Sequence, residues 1–166
     1  MLDRSDWDSV QAHKDLIASP TYGPFAKHLM TIIDGHISLS HANFDPHPPS
    51  AALSGAPVTE RFTVYFSADT PEAKIKSFDE NVSKFLKVLK ENAENGFKAV
   101  AVGWVVEELD HEGVEGKAKA LTGVIGWDSV EAHLKFRETP AFKENAGLLS
   151  EGVKAAEIHH VKFHER

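Results

Sequence analysis

Trp127-Asp128-Ser129-Val130-Glu131-Ala132-His133 repeats Trp7-Asp8-Ser9-Val10-Gln11-Ala12-His13 at an offset of 120 residues, with only Gln11 and Glu131 differing. The correspondence continues through Pro20 and Pro140, Tyr22 and Phe142, Ala26 and Ala146, and Leu29 and Leu149. After a one-residue slip, Leu39 to Phe44 aligns with Ile158 to Phe163. Similarity at a fixed offset marks a duplicated structural unit. Six residues precede the first copy and 126 precede the second, so the first reads as the closing half of a module and the second as the end of a whole one.

Around the second copy the hydrophobic pattern gives the element order. Arg61 to Ser67 has the β-branched and aromatic content of a strand. Ser77 or Asp79 can cap a helix reaching about Asn95, with Phe78, Val82, Phe85, Leu86 and Leu89 at helical spacing and Asn95-Gly96 as its stop. Lys98 to Glu107 and Lys119 to Gly126 are apolar strands joined by a charged turn, which makes a hairpin. A second helix starts at Asp128 or Ser129 and breaks at Thr139-Pro140, because the residue before proline avoids the helical region. It restarts over Ala141 to Ser150, and Ala155 to His164 alternates as the last strand. The order βαββαβ predicts an α+β fold with a ferredoxin-like antiparallel sheet.

Carried through the repeat, residues 7–33 become a helical region and 37–44 a final strand. The predicted organisation is a partial module over 1–44, a proline-rich linker over 45–57 and a complete module over 58–166. The half-module cannot bury its own helix face or strand edge, so it is expected to dock. Strand 37–44 can satisfy the edge strand 98–107. The opening half of the first module is then either naturally absent or lost upstream of Met1.

Bulk composition narrows the function classes. Eighteen Lys and Arg against 25 Asp and Glu give a net charge of -7. No basic stripe is present to neutralise phosphates, which argues against nucleic acid. The absence of cysteine removes disulfides and thiolate chemistry. Met1 to Asp6 lacks a signal-peptide pattern and no apolar run is long enough to cross a membrane, so a cytoplasmic protein is expected.

The segment Trp127 to Phe142, with its pattern Trp-Asp-Ser-Val-Glu-Ala-His-x-x-Phe-Arg-x-Thr-Pro-x-Phe, resembles the dimeric α+β barrel superfamily. It is closest in pattern to antibiotic-biosynthesis-monooxygenase-like and stress-responsive barrel domains. The resemblance covers residues 58–164 as a full module and 5–44 as a partial one. It implies two sheets closing face to face, a homodimer, and no required cofactor. Relatives of this kind include cofactor-independent monooxygenases, cyclases and lyases, together with members that have no assigned catalysis.

Candidate chemistry centres on His133. Neutral imidazole near pH 7 can take a proton from a phenol or from a carbon beside a carbonyl, the role of a general base. The same histidine, repeated as His13, also suits a structural joint between helix and strand. Neighbouring His159 and His160 point to opposite faces of the last strand, so only one can reach a cavity. Tyr65, Trp104, Phe136 and His160 are the predicted pocket residues, suited to a small aromatic ligand. No metal-binding spacing and no flavin, nicotinamide or haem motif occurs, so neither metal nor cofactor is expected. Two functions remain open: a non-catalytic small-molecule-binding or stress-related protein, and a cofactor-independent enzyme acting on an aromatic or polyketide-like substrate.

Overall fold

The structure is a computed structural model, and it describes residues 7–31, 39–92 and 96–163. The chain divides into two compact units, residues 1–41 and 42–166. In the first, α1 (Val10–Ala18) and α2 (Tyr22–Leu29) follow one another. Ser9 caps α1 by accepting a hydrogen bond from the Ala12 N–H at 3.1 Å. That contact satisfies one of the amides left open at a helix start. Residues 37 and 38 of the expected first-copy strand lie outside the described residues.

The second unit contains β1 (Val58–Ser67), α3 (Glu72–Asn92), β2 (Phe97–Trp104), β3 (Leu109–Asp110), β4 (Lys117–Trp127), α4 (Val130–Glu138), α5 (Pro140–Asn145) and β5 (Ala155–Val161). The fold class is the expected one, α+β with a ferredoxin-like antiparallel sheet. The strand order is β2-β4-β1-β5, with the short β3 also on β4. Alternation puts Glu60, Phe62, Val64 and Phe66 of β1 on one face and Thr59, Thr63 and Tyr65 on the other. The first face packs against α3, whose buried stripe is Ile75, Phe78, Val82, Phe85 and Leu89.

Helix α3 starts earlier than Ser77. Pro71 accepts from the Lys74 and Ile75 amides at 2.9 and 3.2 Å, so the turn at Thr70-Pro71 nucleates the helix and Ile75 joins its buried face. Proline fits there because the first helical turn needs no N–H from it. At the other end of the unit, Thr139 behaves as its sequence context predicts. It ends α4 in extended geometry, and its hydroxyl accepts from the Phe142 amide to cap α5.

Residues 45–57 fall within the second unit and pack on its sheet. Asp45 exchanges two backbone hydrogen bonds with Val102, at 2.8 and 3.1 Å, and the Asn43 amide donates to the Trp104 carbonyl. These bridges, Ala42 to Val105 and Asp45 to Val102, cover the outer edge of β2. Beyond them Ala52 and Leu53 bury against Ala101 and Val124 on the far face of the sheet. The Thr59 hydroxyl donates to the Ala52 carbonyl at 2.7 Å. The prolines rule out a continuous strand, but the small apolar residues between them have a surface to cover, so the segment packs as a strap.

The strap lies so close to β2 that only glycine fits at position 103. A Cβ there would overlap the Asn43 carbonyl and crowd the Phe44 amide. Gly103→Ala is therefore expected to lift residues 42–45 from the edge, at a cost of about 1–3 kcal/mol, the usual range for overpacking. Hydrogen exchange is the readout. The Asp45 and Val102 amides should lose protection together, and unchanged protection would contradict the close approach.

Candidate functional site

Between the sheet and α3, α4 and α5 lies a cavity of about 190 Å³. Its walls are apolar, built largely from Phe62, Val64, Phe78, Val82, Phe85, Leu86, Leu121, Ile125, Phe136 and Phe142. Phe62 lies over β4 because its cross-strand partner is Gly123, where a Cβ would run into the ring. Three polar groups interrupt this lining: Glu60, His133 and Arg137.

Glu60 and His133 are brought together by the strand pairing and the α4 cap. In the β1–β5 register Glu60 stands opposite His160, and in the β1–β4 register opposite Ile125, two residues before Trp127. Ser129 accepts from the Ala132 amide at 3.2 Å and so fixes the first turn of α4, which carries His133. The result is a connected cluster. The Trp127 indole N–H donates to Glu60 Oε2 at 3.0 Å. His133 Nε2 lies 3.4 Å from the same oxygen, and His133 Nδ1 lies 2.8 Å from His160 Nε2. The Trp127 and His133 rings stack at 5.1 Å.

Only one end of this cluster meets solvent. Glu60 is 6 % exposed and His133 4 %, whereas His160 lies exposed on the edge strand β5. Burial pushes the Glu60 carboxyl up to about 7, against the opposing pull of the Trp127 hydrogen bond and the Arg137 charge. Burial also lowers His133 to about 4, helped by His160 and Arg137. Each group is thus biased toward its neutral form, the ordinary response to desolvation. Near neutral pH the contact joins an uncharged imidazole to a carboxyl group close to half-protonated, and is not a salt bridge.

The opposite shifts have a consequence for stability. Glu60, raised from 4.5, stabilises the fold below pH 4.5 and loses that contribution as pH rises through about 7. His133, lowered from 6.5, stabilises above pH 6.5 and loses its contribution as pH falls through about 4. In the overlap the two slopes cancel. Glu60→Gln removes one of them, so the unfolding free energy of the variant minus that of the wild type should rise with pH between 4.5 and 7. The limiting slope is about 1.4 kcal/mol per pH unit. Urea denaturation across that window measures it, and a flat difference would mean that Glu60 titrates normally.

The sequence-predicted residues divide between the two faces of the sheet. His133 and Phe136 line the cavity, and His160 contacts His133. Tyr65 does not join them, which corrects the expectation of a shared pocket. It lies on the far face, donates to Glu157 Oε2 at 3.3 Å and packs its ring, tilted by 30°, against His111 with the ring centres 4.0 Å apart. Trp104 is also absent from the cavity wall. Its indole N–H donates to Asp79 of α3 at 2.8 Å, tying the helix to the edge of the sheet. Glu60 and Arg137 are the additions. The alternation of Glu60 with Phe62, Val64 and Phe66 was the available signal for Glu60, an acid in phase with an apolar face.

The first copy of the repeat has the same local geometry. Trp7 stacks on His13 at 4.4 Å, and His13 Nδ1 lies 2.8 Å from His41 Nε2. Ser9 and Ser129 cap their helices with nearly equal backbone angles, φ -163 and -162. The motif therefore builds one kind of joint in both places. In the second unit this joint carries a buried carboxyl, Glu60, and borders a cavity.

No family model and no curated protein sequence matches the chain. Solved structures do match. One, described as an anthrone oxidase-like protein, is 20% identical with a TM-score of 0.61, over 93% of this chain and 70% of that one. Another, described as a "putative monooxygenase" from Lactobacillus acidophilus, is 13% identical with a TM-score of 0.54, over 93% of this chain and 65% of that one. SnoaB, a cofactor-independent oxygenase from Streptomyces nogalater, overlaps less, with 13% identity and a TM-score of 0.45 over 67% of this chain and 97% of that one. At such identities the likeness is one of fold alone.

Proposed function

On the premise of that fold, we propose that the second unit binds a small, largely planar aromatic molecule and carries out proton transfer on it, with Glu60 and His133 as the acid–base pair. The single observation behind this reading is a buried carboxyl–imidazole contact in the wall of an otherwise apolar cavity. An apolar core tolerates such a pair poorly unless it is satisfied, and perturbed carboxyls in cavities are frequent in acid–base sites. A carboxyl titrating near 7 can both take and return a proton at neutral pH. The phenyl-rich walls suit a ring system, and Arg137, with its guanidinium 5.7 Å from the Phe142 ring centre, places a cation where an anionic oxygen of the substrate would form.

The likeness to an anthrone oxidase-like protein supports an anthrone-type substrate, whose central-ring methylene, opposite the carbonyl and conjugated to it through the flanking arenes, carries an acidic C–H. A cofactor-independent enzyme is accordingly favoured over a binding protein. The test uses 1,8-dihydroxyanthrone as the probe, following its absorbance and oxygen uptake. Turnover that is lost in His133→Gln and Glu60→Gln supports the reading. Saturable binding with no turnover would assign the cavity to a binding protein instead. A second copy of the chain belongs to the same proposal, since β5 has no strand on its outer edge among the described residues. Light scattering on the purified protein measures whether that copy is present.

A further inference from the structure

We propose that Glu60, His133 and His160 form a proton wire that links the cavity to solvent through the edge strand β5. The inference rests on the acid–base reading of the cavity and adds the route by which its proton leaves. Three observations carry it. The groups follow one another in space: Glu60 Oε2 lies 3.4 Å from His133 Nε2, within a small shift of a hydrogen bond, and His133 Nδ1 is hydrogen-bonded to His160 Nε2 at 2.8 Å. The two inner groups are almost wholly buried. The outer group, His160, is exposed. His133 uses opposite ring nitrogens for its two sides, the arrangement that lets an imidazole pass a proton rather than merely hold it.

The transfer balances without any other reactant. With Glu60 protonated, its O–H donates to His133 Nε2, His133 Nδ1–H donates to His160 Nε2, and His160 carries its hydrogen on Nδ1. Glu60 passes its proton to His133 Nε2 while His133 passes its Nδ1 proton to His160 Nε2. His160 then releases its Nδ1 proton to water. Glu60 ends as a carboxylate, accepting from His133 Nε2–H and from the Trp127 indole. One proton has left, and both imidazoles are neutral again in the opposite tautomer. Arg137 faces both inner groups and stabilises the carboxylate state.

The tautomer exchange is the testable signature. In protein labelled with 15N-histidine, titration without any substrate should show His133 and His160 switching together from Nδ1–H to Nε2–H, at the midpoint of the Glu60 carboxyl. Glu60→Gln should abolish the concerted switch while leaving the rings folded in place. A His160 tautomer that is constant through the Glu60 titration overturns the wire. With 1,8-dihydroxyanthrone, His160→Ala should lower kcat by about 10-fold or more with KM unchanged, and added imidazole should restore it; His160→Leu should not be restored. Full turnover in His160→Ala, with turnover lost in Glu60→Gln, would overturn the wire and leave the acid–base reading standing. Full turnover in Glu60→Gln would remove the acid–base reading, and the substrate-free titration would still decide the wire.

Discussion

Glu60→Gln is expected to lower turnover of 1,8-dihydroxyanthrone by about 10²–10⁴-fold, the range over which a positioned acid or base contributes to a rate. The substitution keeps the size of the side chain and a carbonyl that can accept from the Trp127 indole, so the protein should fold. It removes the one group in the cavity that titrates close to neutrality. The wild-type pH profile should therefore rise with a midpoint near 7, as Glu60 ionises to act as base, and the variant should retain a flat residual rate. Steady-state kinetics between pH 5 and 9 separates the cases. A variant with full kcat and an unchanged profile would show that another group removes the proton.

Trp127→Ala is expected to be the most damaging single change to stability, at about 3–5 kcal/mol. Trp127 is 1 % exposed and packs against Phe97, His133 and Phe136. Its removal opens a cavity and also takes the N–H from the Glu60 carboxyl. Trp127→Phe separates those effects. It keeps most of the apolar volume but deletes the donor, so its cost should be smaller, about 1–3 kcal/mol for one lost buried hydrogen bond. Because that bond lowers the Glu60 carboxyl, its loss should move the Glu60 titration further up. Thermal unfolding and 13C titration of the Glu60 carboxyl check the two parts. Equal stability losses in both variants would mean that the indole N–H, not the ring volume, accounts for the effect.

These residues show why the sequence revealed more of the fold than of the site. The strands, the hairpin and the Thr139-Pro140 break depend on neighbours within a few residues, where alternation, helical spacing and proline geometry act. His133 was also accessible, since it ends a motif that occurs twice. The role of Glu60 was not. Its phase with Phe62, Val64 and Phe66 marks an acid on an apolar face, but its partners Trp127 and His133 lie about 70 residues further along the chain. Only strand register brings them together. Tyr65 failed for a related reason, since which face a strand residue takes depends on phase, and a one-residue shift reverses it. Trp104 shares the face of the cavity, opposite Leu121, but sits beside Phe66 at the end of β2, away from the cavity wall. Residues 45–57 looked like a linker because prolines oppose regular structure, yet they do not oppose packing.

The strap on β2 also fixes how this sheet can associate. A sheet normally offers two open margins, and material that pairs at both can grow without end. Here the bridges at Val102 and Val105 close the β2 margin at its Trp104 end, and β5 has no paired neighbour among the described residues. A strand arriving from outside is therefore steered to β5. Pairing of β5 with the β5 of a second copy consumes the same margin of both, so that contact produces a closed pair, not a fibre.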